Sequence, residues 1–108
     1  MEQDVNRWIM QEFKRNQDLL VALGDETRQR ILMGLAQQPQ DALGMRVGEI
    51  GQYTHLSRPA ISHHLKVLKE AGIVNMHREG TKNYYRLDAK SKIQGLQSLM
   101  SEFLSLCE

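Results

Sequence analysis

Residues 56–74 read LSRPAISHHLKVLKEAGIV, and residues 75–87 continue NMHREGTKNYYRL. Ser57 is a good N-cap, Pro59 falls in the first turn where its missing N–H costs nothing, and Gly72 supplies a stop. Together they predict a helix from Pro59 to about Ala71. Along it Ile61, Leu65 and Leu68 share one face, while Pro59, Ser62, His63, Lys66 and Lys69 share the other. After Gly72 the pattern changes. Ile73-Val74 and Tyr84-Tyr85-Arg86-Leu87 are strand-like runs on either side of the polar tip Glu79-Gly80-Thr81-Lys82-Asn83, so a β-hairpin is expected over about 73–87.

Immediately upstream, Val47 to Thr54 reads as a short helix with Val47 and Ile50 inward, followed by a turn at His55 and Leu56. Two helices joined by a tight turn, over about 47–71, then precede a hairpin, which is the order of a winged helix-turn-helix. Further out, Gln40 to Met45 is polar and is expected to be a loop; Asp25 caps a helix from Glu26 to Gln37, closed by Pro39. Glu2 to Leu23 reads as one helix, with a break near Asn16 as the alternative. From Ala89 to Cys107 a last helix carries Ile93, Leu96, Met100, Phe103 and Cys107 at 3-4-3-4 spacing. Its apolar stripe is wider than packing on one small domain requires, and the first helix has its own excess. Val5, Trp8, Ile9 and Phe13, with Ile93, Leu96, Leu99, Met100 and Phe103, are therefore expected at a dimer interface. The expected fold is mainly α with a β-hairpin wing: a single domain over 1–108, with five or so helices, dimerising through its N- and C-terminal helices.

The chain has 108 residues, 41% apolar and 25% charged, as in an ordinary globular domain. Its net charge of +1 is unevenly divided. Arg58 to Arg86 holds six Lys/Arg against two acids, and the remainder holds eight against eleven, so one segment is +4 and the rest −3. Such polarity orients a near-neutral protein on an anionic polymer. A helix with Ser, His and Lys on its outer face fits a DNA major groove, its first turn making the base contacts. The candidate DNA-binding residues are Ser57, Arg58, Pro59, Ala60, Ser62, His63 and Lys66 on the helix, and Arg78, Lys82 and Asn83 on the wing. Arg58 suits either a base contact to guanine or a phosphate clamp. No Ser-His-acid set, paired buried carboxylates or glycine-rich phosphate loop suggests an enzyme, and no cofactor is expected. A winged-helix module that binds protein instead of DNA is the alternative. The single Cys107, the charged N-terminus and the lack of an apolar run of 18 residues fit a cytoplasmic protein.

Four segments taken together resemble the ArsR family of bacterial repressors in order and spacing: Ala22-Leu23-Gly24-Asp25-Glu26-Thr27-Arg28-Gln29-Arg30-Ile31-Leu32, Leu56 to Leu68, Ala71-Gly72-Ile73-Val74 and Arg78-Glu79-Gly80. The resemblance implies a homodimeric repressor that sits on a palindromic operator in double-stranded DNA and is released by an effector. The family's metal sites are not matched. One places Cys-x-Cys before an acidic-aliphatic pair, where this chain has Arg46-Val47-Gly48 before Glu49-Ile50. The other needs Asp-x-His and later His-x-x-Glu, but Asp88-Ala89-Lys90 begins the last helix and no His follows. No metal is expected at either place. His63 and His64 are about 100° apart on a helix and cannot share a metal as an i, i+4 pair could. His64 is expected inward as a packing or hydrogen-bonding residue, His63 outward, and His77 on an exposed strand. His55 stands where the family often has glycine, at a turn that asks for positive φ. Cys107, on the apolar seam, is expected to be packed.

Overall fold

A computed structural model describes residues 2–39 and 42–107, so that Gln40 and Asp41 of the expected loop lie outside the described residues. The described chain forms α1 (Glu2–Arg15), α2 (Gln17–Leu23), α3 (Glu26–Ala36), α4 (Val47–Thr54), α5 (Arg58–Glu70), β1 (Val74–Glu79), β2 (Lys82–Leu87) and α6 (Lys90–Ser105). This is a winged helix-turn-helix with six helices. The first predicted helix is two, divided at Asn16. There the side-chain amide donates back to the Glu12 carbonyl (2.7 Å), which also takes the Asn16 backbone N–H (3.0 Å); such back-bonding bends helices, and the residue is buried at the joint.

The main core is built by α2, α3, α4, α5 and β1: Leu19, Ala22, Ile31, Leu35, Ile50, Ile61, Leu65, Leu68, Ile73 and Val74 form one cluster. Each fully buried Leu or Ile contributes roughly 1.5–3 kcal/mol. A second, thinner layer lies apart from it, where α1 meets α6. Ile9 and Leu99 are buried there, and Phe13 and Phe103 meet edge to face with centroids 5.7 Å apart. The molecule is correspondingly elongated, 54 × 26 × 21 Å, with a radius of gyration of 16.3 Å against about 13 Å for a compact chain of this length.

Local chemistry fixes the helix ends. The Asp25 side chain accepts from the Arg28 backbone N–H (3.0 Å), and this hydrogen bond holds its carboxyl below the usual carboxylate range. At the end of α5, Gly72 takes a left-handed φ of 81°. Its N–H donates to Lys69 O (3.0 Å), and the Ile73 N–H donates to Leu68 O (3.3 Å), while Leu68 and Ile73 bury their side chains together. From there β1 pairs antiparallel with β2, Val74 opposite Leu87 and Glu79 opposite Lys82, around a two-residue turn at Gly80-Thr81. The tip is thus shorter than the sequence suggested, and Lys82 and Asn83 belong to β2.

A contact the sequence did not announce braces this hairpin. Met45 forms a bridge to Tyr85, with Met45 N–H to Tyr85 O and Tyr85 N–H to Met45 O both at 2.8 Å. Gly44 makes the approach possible: its φ is 126°, and a Cβ there would lie 2.5 Å from Tyr85 O.

His55 adopts φ 56°, ψ 25°, as the turn demands, and is the positive-φ non-glycine residue among those described. This conformation costs a non-glycine residue roughly 1–2 kcal/mol. His55→Gly is expected to raise stability by about 0.5–1 kcal/mol after the greater freedom of its unfolded chain is set against that relief, whereas His55→Val should lower it by at least as much. Urea unfolding midpoints at constant m decide this; a lower midpoint for His55→Gly would contradict it.

Among the described residues, no helix is long and apolar enough to cross a membrane. Cys107, expected to be packed, is exposed, because α6 ends at Ser105 and the seam stops before reaching it.

Candidate nucleic-acid interface

Helix α5 shows the division expected of it. Ile61, Leu65 and Leu68 point into the core with 1%, 1% and 0% exposure, and Ser62, His63, Lys66 and Lys69 are exposed. Ser57 caps the helix by accepting from the Ala60 N–H, a long bond at 3.4 Å. Arg58 and Pro59 in the first turn are exposed and Ala60 is half-buried. Arg58, Lys66, Lys69 and Lys82 have no ion-pair partner among the described residues. Glu49 accepts from the Arg46 backbone N–H (3.1 Å) and Glu79 meets His77 (2.9 Å), while Glu70 at the end of α5 is exposed and forms no ion pair with Lys66 or Lys69.

On the wing the three candidates behave differently. Lys82 is exposed, whereas Arg78 folds back so that its Nε donates to Gly80 O at 2.9 Å, stiffening the turn. Asn83 is half-buried, with its side-chain oxygen closed off from solvent and without a donor. It lines a cleft of about 450 Å³ between the start of α4, the start of α5 and the wing tip, together with Arg46, Glu49, Gln52, Arg58 and Thr81. Arg58 lies over Gly48 there; a Cβ on Gly48 would be 3.1 Å from a terminal guanidinium nitrogen.

His64 behaves as its inward position predicted. The Arg28 guanidinium reaches its Nδ1 (3.2 Å) while donating to Ala22 O and Val21 O (both 2.9 Å), and Gln29 donates to Leu23 O (2.8 Å). A guanidinium only donates, so Nδ1 accepts and the proton of the neutral ring sits on Nε2. One side chain of α3 thereby fixes α5 against the end of α2. His77 is exposed on its strand.

The expected interface residues divide into two groups. Ile9 (4%) and Leu99 (0%) are buried within the single chain. Val5, Trp8, Ile93, Met100 and Phe103 stay 40–44% exposed along α1 and α6, and Phe13 and Leu96 are half-buried. No three His, Cys, Asp or Glu side chains come together among the described residues as metal ligands could.

Residues 25–76 match the family model described as bacterial regulatory protein, arsR family. An uncharacterized HTH-type transcriptional regulator of Methanocaldococcus jannaschii is 37% identical over 76 residues, 70% of this chain and 81% of its own length. The transcriptional repressor SdpR of Bacillus subtilis is 39% identical over 70 residues, 62% of this chain and 69% of its own. A solution structure of a homodimeric winged helix-turn-helix DNA-binding domain from Mycobacterium bovis, a possible ArsR-family regulator, superposes with a TM-score of 0.61 at 28% identity, covering 94% of this chain and 86% of that one.

Proposed function

The chain belongs to the ArsR family of bacterial regulatory proteins and is a DNA-binding transcriptional regulator, and from that premise we propose that it works as a homodimeric cytoplasmic repressor on a palindromic operator. The observation that carries this reading is the outer face of α5 beside the wing, where Arg58, Lys66, Lys69 and Lys82 stand without acidic partners. Ser57, Arg58, Pro59, Ala60, Ser62, His63 and Lys66 enter the major groove in this reading, and Arg78, Lys82 and Asn83 serve the flanking backbone. Arg78 does so by holding the turn in shape. A second copy joined through the exposed rows of α1 and α6 sets two α5 helices about one DNA turn, roughly 34 Å, apart.

The purified protein is expected to bind a near-palindromic duplex from upstream of its own or an adjacent gene, with a log-log salt slope of order −4 to −8, from ~0.9 per neutralised phosphate. Fluorescence anisotropy between low and high salt measures it. Binding that is flat with salt and indifferent to sequence would favour a protein-binding module on the same fold.

A further inference from the structure

The cleft between α4 and the wing is lined by two arginines twelve residues apart in sequence, Arg46 and Arg58. Neither side chain has an ion-pair partner among the described residues; Glu49 lines the same cleft, and its Oε1 accepts from the Arg46 backbone N–H (3.1 Å). With Arg46, Arg58 and Glu49 on its walls, this cleft of about 450 Å³ keeps an excess of one positive charge, which favours an anion over a cation. The cleft also borders Asn83, whose buried side-chain oxygen lacks a donor. A guanidinium carries five donors and can satisfy such an oxygen while its other edge holds an anion.

We propose that this cleft is a phosphate site, clamped between Arg46 and Arg58, and that Arg58 anchors the DNA backbone instead of reading a base. Its position agrees: a base-reading arginine projects from the first turn of α5, whereas this one lies back over Gly48 toward α4. Phosphate contacts set register on the duplex and carry no sequence information. The clamp therefore fixes how far α5 enters the groove and leaves discrimination to Ser62, His63 and Lys66. The inference rests on the DNA-binding reading above and deepens it.

The test uses the full-length protein and two duplexes, operator and scrambled. Arg46→Ala and Arg58→Ala are each expected to weaken both duplexes by the same factor, roughly tenfold per protomer at 0.1 M salt, and to reduce the salt slope by about 2 per dimer, one phosphate from each protomer. Arg58→Lys should restore most of both, because a point charge serves a phosphate, and the operator-to-scrambled ratio should stay at the wild-type value in both Arg58 variants, which a lost guanine contact would not allow. Thermal midpoints should stay near wild type, since neither side chain has an ion pair to lose. Inorganic phosphate is then titrated against chloride at matched ionic strength. No extra competition identifies the bound group as the duplex diester; competition that Arg46→Ala abolishes shows that the same clamp also takes free phosphate. The proposal is overturned if Arg58→Ala lowers the operator-to-scrambled ratio and lysine fails to rescue it, or if neither variant changes the salt slope. Wild-type protein that binds neither duplex would instead sink the DNA-binding reading itself.

Discussion

Met100→Glu is expected to yield a folded monomer whose operator affinity has fallen at least a hundredfold. Met100 and Ile93 lie seven residues apart on α6, 42% and 40% exposed, in a row continued by Phe103. That row is only partly covered, Phe103 by Phe13 of α1, and the elongated protomer leaves Ile9 and Leu99 of the α1/α6 layer outside the main core cluster. A two-fold interface meets every substitution twice, so two carboxylates would be buried in apolar surface at several kcal/mol in total. Each 1.4 kcal/mol raises the dissociation constant tenfold. A monomer then keeps one α5 and one wing, half of the contacts. Leu99→Glu is the contrasting variant: Leu99 is wholly buried against α1 in its own chain, so that substitution should unfold the layer and not merely separate the copies. Sedimentation equilibrium with circular dichroism measures both. A Met100→Glu protein that stays dimeric with native affinity would put the interface elsewhere.

Arg28→Ala is expected to cost about 2–4 kcal/mol of folding stability, lowering the thermal midpoint by roughly 10–20 °C. The guanidinium caps two terminal carbonyls of the seven-residue α2 and also holds His64. Without it Ala22 O loses its side-chain donor at the joint with α3, Val21 O keeps only the Gly24 N–H (3.2 Å), and His64 of α5 loses its tie to α3. Arg28→Lys should recover little, because a single ammonium cannot span two carbonyls and an imidazole as a flat fork does. Thermal and urea unfolding of the three proteins at one protomer concentration decide it. A loss under 1 kcal/mol would mean that water replaces the guanidinium at little cost.

Most of the element order was legible because each boundary carries its own chemistry. Asp25, Ser57 and Gly72 name their helix ends, and the three inward residues of α5 keep one period. What escaped the sequence depends on pairings distant along the chain. Met45 reads as loop because its strand partner, Tyr85, is forty residues away, and the only local sign was a glycine before it. Arg46 stands out in the sequence only as the place of a missing thiolate, since nothing in its neighbourhood says that the wing folds beside it. The apolar rows of α1 and α6 were seen but not divided, because periodicity identifies a face and not its partner. Leu99 and Met100 are adjacent in sequence, yet one packs on its own chain and the other is exposed. Arg28 carried no hint beyond its place in the family-like segment.

The Met45–Tyr85 bridge makes the wing a cantilever. Its root is bolted on both sides, since Tyr85 pairs with Met76 across the hairpin and with Met45 across the other edge. Beyond that rung, from His77 to Tyr84, the ribbon has no third strand to lean on. Amide protons should be slow to exchange up to the bolt and fast past it, so the free arm can flex while its fixing does not. Groove width varies with DNA sequence. A beam built in at one end can follow such variation at its tip without disturbing the angle at which α5 is presented, and lengthening the Gly80-Thr81 turn would extend the arm's reach but leave its bearing unchanged.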